Sequence, residues 1–277
     1  MLLFLPLLLQ SALAYSTNNG TCKVSANQIH KNPRPVAYLS ANKPYEAMSD
    51  GEWKDRVELA ALARVLYLYG FGADLAAQCV MARLRDQPDT MLMNEWGLFF
   101  EETTASSLVK VRFGNHTPPE GLLEDADGNL SPSKPDVVNI GCVPVGRAIF
   151  NARPDVYSII HAHPHAVMAV ASTEAGLLPL SQAAFFLHGQ IGRYKYDFSY
   201  ESDFEDAIAA QFASGKRAVM LDHHGLYAVG SSAQESWFVT FHLHQASRRA
   251  RCRAALRASA SRSSCRPPPS SSASTST

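Results

Sequence analysis

Two histidine groups, far apart in the chain, carry residue types from which a metal site can be built. The first is His161-Ala162-His163, closing an apolar, β-branched run that begins at Val156. Alternate side chains of a strand share a face, so these two imidazoles point the same way and can hold one ion. The second is Asp222-His223-His224-Gly225, which the apolar stretch Ala218–Leu221 delivers into a turn. Gly225 permits a positive φ or a close backbone approach there. A strand-borne pair joined by one loop-borne histidine makes a three-nitrogen site with an open position. Catalytic metals use that arrangement, whereas structural sites are closed by four protein ligands. Neutral imidazole suits zinc well. Either group alone reads equally as ordinary core or loop histidines; their joint presence favours the metal.

Other candidates carry weaker signals. His165 opens the helix after the metal strand and is either a proton shuttle or a surface residue. Tyr194 and Tyr196 read as core or interface aromatics. His242 and His244, two apart on the last helix, face different directions and are not expected to share an ion.

The positioning elements follow from patterning. Ser49-Asp50-Gly51-Glu52 is a capping box that opens a helix running until Gly70. Strands are expected at Cys79–Arg83, Thr90–Met93, Leu108–Arg112, Val156–Ala162 and Ala218–Leu221, with a turn-rich stretch over 114–135. Helices are expected near Gly146–Ala152, His165–Glu174 and Asp203–Ala213. A second capping box, Ser232-Ala233-Gln234-Glu235, opens a last helix to about Arg249. Helices and strands alternate without an internal repeat, which argues for one layered α/β domain over 48–250. Residues 15–47 read as an irregular leader, and the Ser/Pro/Arg-rich stretch 251–277 as a disordered tail.

Composition bounds the function classes. The chain has 277 residues, 46% of them hydrophobic, with 25 basic and 25 acidic side chains. With no basic surplus to neutralise phosphates, nucleic-acid binding is not expected. Residues 1–14 resemble a secretory signal, an apolar run closed by Ala12-Leu13-Ala14 and too short to span a bilayer. The expected mature chain is therefore secreted and has no membrane segment. Asn19, Asn115 and Asn129 would then be glycan acceptors. The five cysteines form no C-x-x-C pair, and Cys79 and Cys142 read as small buried apolar residues.

The stretch Ala148–Ala246 resembles the class II aldolase/adducin family. The residues that carry the likeness are Arg153-Pro154-Asp155-Val156, Ile160-His161-Ala162-His163-Pro164, His224-Gly225-Leu226, Val229-Gly230 and Glu235. Upstream, Gly97-Leu98-Phe99-Phe100-Glu101 with Thr104–Lys110 is similar too, so the likeness spans roughly Glu52 to Ser247. It implies a three-layer α/β/α fold with a mostly antiparallel central sheet, and a homotetramer with sites at subunit interfaces. It also implies Zn2+, or another divalent metal such as iron or manganese, on His161, His163 and His224. Of the adjacent pair, His224 stands before Gly225 in the ligand position.

The departures shape the expected activity. Where family aldolases place a catalytic Glu, this chain has Cys142. The phosphate-binding Gly-Asn-x-Ser turn corresponds to Ala77-Gln78-Cys79-Val80, and a later Thr-Gly is replaced by Trp96-Gly97. A phosphorylated sugar is therefore not the expected substrate. Decarboxylation needs no base to remove a proton from carbon, so the leading expectation is a metal-dependent carbon–carbon lyase. Its substrate would be a small carboxylate or carbonyl compound, and Trp96, Phe99 and Phe100 nearby favour an apolar or aromatic acid; the chain resembles the decarboxylase branch of the family more than its sugar-phosphate aldolases, which implies a polyketide-derived acid of secondary metabolism. The second is an aldolase or dehydratase that recruits His165, His223 or Glu101 as base. The third is an adducin-like, non-catalytic binding module.

Overall fold

The computed structural model describes residues 48–72, 78–114, 121–124, 130–132, 137–196 and 203–264, with side chains through Arg251. The signal and leader segments, the three sequons, Cys22 and residues 265–277 lie outside the described residues. So does Ala77.

The first helix, α1 (Asp50–Leu68), begins where the capping pattern puts it: the Glu52 amide donates to Ser49 Oγ at 3.0 Å. Only half of the box forms. The Glu52 carboxylate turns inward to accept from Arg56 Nε at 2.9 Å and Lys110 Nζ at 3.2 Å.

Nine strands make one sheet: β1 (Cys79–Arg83), β2 (Thr90–Met93), β3 (Val109–Arg112), β4 (Leu122–Glu124), β5 (Leu130–Pro132), β6 (Ser158–Ala162), β7 (Ile191–Tyr194), β8 (Ala218–Leu221) and β9 (Gly225–Gly230). Their order across the sheet is β5-β4-β3-β2-β1-β6-β9-β8-β7. Every pairing is antiparallel except β7 with β8, which are parallel. The remaining helices are α2 (Cys142–Ala152), α3 (His165–Ala171), α4 (Gln182–Phe185), α5 (Phe204–Ala213) and α6 (Ala233–Ser264).

The sheet is buried on both faces, and alternation sorts its side chains between two helical layers. Met81, Met93, Ile159, Val219 and Tyr227 pack with α2 and α5. Val80, Leu92, Ile160 and Ala162 face α1 and the start of α6, while Met220, Leu226 and Ala228 face α3 and the middle of α6. This is the three-layer arrangement with a mostly antiparallel sheet that the sequence implied.

Several sequence expectations are corrected. The turn-rich stretch over 114–135 contains β4 and β5, each of three residues and too short to show a periodicity. β7 and β9 were not expected either; β9 is buried at all six positions, so it shows no polar alternation. α6 continues past Arg251 to Ser264, where a tail was expected to begin. Ala, Arg and Leu are strong helix formers, so the helix continues where apolar periodicity ends. Cys79 and Cys142 are buried, but not as separate thiols: their sulfurs are bonded, with α-carbons 6.7 Å apart. Position 79 of β1 faces the first turn of α2, which the sequence could not reveal. Among the described residues no helix is long and apolar enough to cross a membrane.

Candidate metal centre

His161 and His163 sit at and just beyond the end of β6, on the face that carries Ile159, beneath α2 and α5. His161 pairs with Tyr227 of β9 on one side and with Cys79 of β1 on the other. The Tyr227 ring stacks on the His161 ring, centroids 4.2 Å apart at 19°. His161 Nδ1 donates to the Leu226 carbonyl at 3.0 Å. A carbonyl can only accept, so the Nδ1–H tautomer is set and the Nε2 lone pair is left for a ligand.

His224 comes from the short turn between β8 and β9. Its amide donates to the Leu221 carbonyl at 3.2 Å, and the preceding Asp222 holds Arg193 through contacts of 2.6 and 3.1 Å. The positive φ in this turn falls on His223, at 61°, and not on Gly225. Gly225 serves close approach instead: a Cβ there would lie 2.5 Å from both the Ala162 carbonyl oxygen and His163 Cδ2. Tyr196 packs on the His224 ring at 4.3 Å.

The three rings converge. One ligand atom from each of His161, His163 and His224 lies within 4.8 Å of the others. The Nε2 atoms of His161 and His163 are 3.2 Å apart. Two nitrogens each about 2.05 Å from a tetrahedral zinc would be separated by about 3.3 Å, so the pair is spaced for one ion. Burial holds His161 well below the ordinary histidine pKa, and the neighbouring His163 and His224 push the same way. That keeps it in the neutral form that binds metal. Among the described residues no carboxylate or thiol joins the cluster.

The three residues expected as proton carriers are all exposed in the single chain. His165 is exposed at the start of α3. His223 is exposed, its Nδ1 3.0 Å from Ser172 Oγ. Glu101 is exposed and bonds Tyr67. Phe100 is buried in the core on the α1 side of the sheet. With Trp96 and Phe99 it lines a narrow cleft beside Gln78 and Asn94. His242 and His244 do part company: one meets Phe186, the other Phe71. Cys142 is bonded to Cys79 and offers no free thiol.

Sequence reasoning missed Tyr227 and read Tyr196 only as a core or interface aromatic; it is in the core, but its packing on His224, like the stacking of Tyr227 on His161, depends on tertiary placement and not on motif. It also missed Glu95. This carboxyl is 8% exposed, and burial pushes its pKa up to about 7.

Comparison with known proteins gives a consistent picture. The family model for the class II aldolase and adducin N-terminal domain matches residues 57–250. A Caulobacter vibrioides protein with a provisional aldolase class 2 name is 32% identical over 200 residues, covering 72% of this chain and 72% of that protein. Human gamma-adducin is 33% identical over 198 residues, covering 71% of this chain but only 26% of the adducin. The crystal structure of an aldolase II superfamily protein from Pseudomonas syringae superposes with a TM-score of 0.64 at 27% identity. It covers 73% of this chain and 77% of its own. The chain therefore belongs to the class II aldolase/adducin family.

Proposed function

We propose that this chain is a zinc-dependent carbon–carbon lyase that decarboxylates a small aromatic or polyketide-derived acid. The observation that carries the reading is the composition of the site: three converging imidazoles and, among the described residues, no carboxylate beside them. His161, His163 and His224 would hold the ion, leaving one position for substrate oxygens. Zinc, when bound, supplies the positive charge that stabilises an oxygen gaining electron density. In decarboxylation the bond from carbon to the carboxylate breaks and CO2 leaves. The electron pair moves onto the oxygen of a carbonyl β to the carboxylate, giving an enolate, and a proton from solvent returns to carbon; a phenolic acid takes that proton first, on the carbon that bears the carboxylate, and so presents the same carbonyl as its keto form. No side chain has to remove a proton first. Aldol cleavage does need a base for the hydroxyl proton, and among the described residues no carboxylate joins the three imidazoles.

The chain's own contribution is positioning. The Leu226 carbonyl fixes the His161 tautomer, Tyr227 holds that ring from one side, and Tyr196 supports His224. The likeness to the family supports assembly of this chain into a homotetramer.

The test is metal analysis of the purified protein, followed by incubation with aromatic hydroxy acids while CO2 is measured. One zinc per chain is expected, with CO2 release lost in His161→Ala and His163→Ala. CO2 release that survives both substitutions overturns the mechanism. Absence of zinc leaves the non-catalytic binding module that the adducin likeness suggests.

A further inference from the structure

The lyase chemistry makes no use of the Cys79–Cys142 bond, yet that bond lies against the three-histidine centre. Cys79 opens β1 and is the residue directly across from His161 of β6. It packs with Met81 and Ile159, on the face of the sheet to which alternation also brings His161. Directly opposed side chains on one face have β-carbons about 4.5–5.5 Å apart. His161 is therefore flanked on both sides within the sheet, by Tyr227 on β9 and by Cys79 on β1. Cys142 reaches the same place as the first residue of α2, where its amide donates to the Asn139 carbonyl at 2.9 Å.

A free thiol at position 79 would compete for an open metal site. Thiolate sulfur is a strong zinc ligand, with a Zn–S bond of about 2.3 Å. Three imidazoles and one thiolate would close the site with four protein ligands, and catalysis needs the fourth position for substrate. Bonded to Cys142, the Cys79 sulfur is not one of the atoms that converge. Without that bond, rotation about χ1 turns the sulfur among its staggered positions beside His161.

We propose that the Cys79–Cys142 disulfide holds the metal centre open, and that a chain folded with both thiols reduced closes it with Cys79 as the fourth zinc ligand. The inference rests on the metal-site reading and adds control of the substrate's position. The bond forms by exchange: the two thiols pass two electrons and two protons to a disulfide of the surroundings, which leaves as two thiols. In the closed form the Cys79 proton goes to solvent as the sulfur binds. Cys79 and Cys142 are 0% and 1% exposed, so the choice is made as the chain folds and not afterwards. An open centre is thereby tied to folding in an oxidising compartment.

The experiment loads the full-length protein with cobalt(II) in place of zinc, after folding with oxidised glutathione or with tris(2-carboxyethyl)phosphine present throughout. Cobalt reports bound sulfur through a thiolate-to-metal charge-transfer band in the near ultraviolet. The oxidised wild type should hold one cobalt per chain, protect Cys79 and Cys142 from alkylation and lack the band. Acetohydroxamate, a small oxygen ligand, should shift its visible spectrum. The reduced wild type should show the band and ignore acetohydroxamate. Prepared with the phosphine, Cys142→Ser should show the band and Cys79→Ser should not. Both variants lose the same cross-link, so a merely structural bond would affect them alike. The inference is overturned if the band is missing from the reduced wild type or from Cys142→Ser, or if Cys79→Ser shows it. Free alkylation of Cys79 and Cys142 in the oxidised protein overturns it equally. Cobalt below one per chain in the oxidised wild type overturns the metal-centre reading instead, and this inference with it.

Discussion

His223 and His224 are neighbours in sequence with the same side chain, yet only one ring belongs to the centre. The left-handed backbone at His223 swings its ring out to Ser172, while His224 turns in beneath Tyr196. Substitution should separate them sharply. His224→Ala removes one of three ligand nitrogens, so zinc content measured after dialysis should fall from one per chain to near zero. His223→Ala should leave zinc content unchanged, because it loses a single exposed hydrogen bond worth about 1 kcal/mol or less. Loss of zinc in His223→Ala would mean that the wrong member of the pair has been placed at the centre. The preference for His224 was legible in the motif through its place before Gly225. The reason, a positive φ one residue earlier, was not.

At the level of elements, the centre depends on how closely β9 enters alongside β6. Gly225 opens β9 against the Ala162 carbonyl and His163, where no Cβ fits. Gly225→Ala should force the strand ends apart and move the His163 ring. The expected result is zinc affinity lowered by about tenfold or more, since displaced supports typically cost that much. Stability should fall by about 1–3 kcal/mol from overpacking. Competition with a chromophoric chelator and thermal melting would measure the two effects, and an unchanged zinc affinity would contradict the close-approach role. α1, β1, β2, β6 and β8 were readable from periodicity and capping. β4 and β5 were not, because three residues are too few to show a period; β7 and β9 were not either, because β7 carries Gly192 at its second position and β9 begins and ends on glycine, which blurs their strand character.

Across the whole molecule, one buried ionic network joins elements distant in the chain. Lys110 of β3 reaches Glu52 of α1 at 3.2 Å and Glu124 of β4 at 2.8 Å. Arg56, fully buried, bonds Glu52 and the carbonyls of Ala105 and Leu108. Arg112 completes the network on Glu124 at 2.7 Å. Removing one member leaves charge buried with fewer partners. Lys110→Ala should therefore destabilise the fold by about 3 kcal/mol, read by urea unfolding, while zinc content stays at one per chain. A simultaneous loss of zinc would show that the network supports the centre as well as the fold.

Two kinds of information were thus divided. Residue types, the two-residue period of a strand and the capping patterns were enough to indicate the layered α/β class, the facing pair His161 and His163, and a third ligand near Gly225. These are local properties, fixed by backbone geometry within a few residues. Tertiary structure alone decided that three nitrogens converge, that Cys79 meets Cys142, that Tyr227 and Tyr196 clasp the centre, and that Glu95 is buried. Each of those depends on which strands become neighbours and in what register, and pairings between distant segments leave no periodic trace in a single sequence.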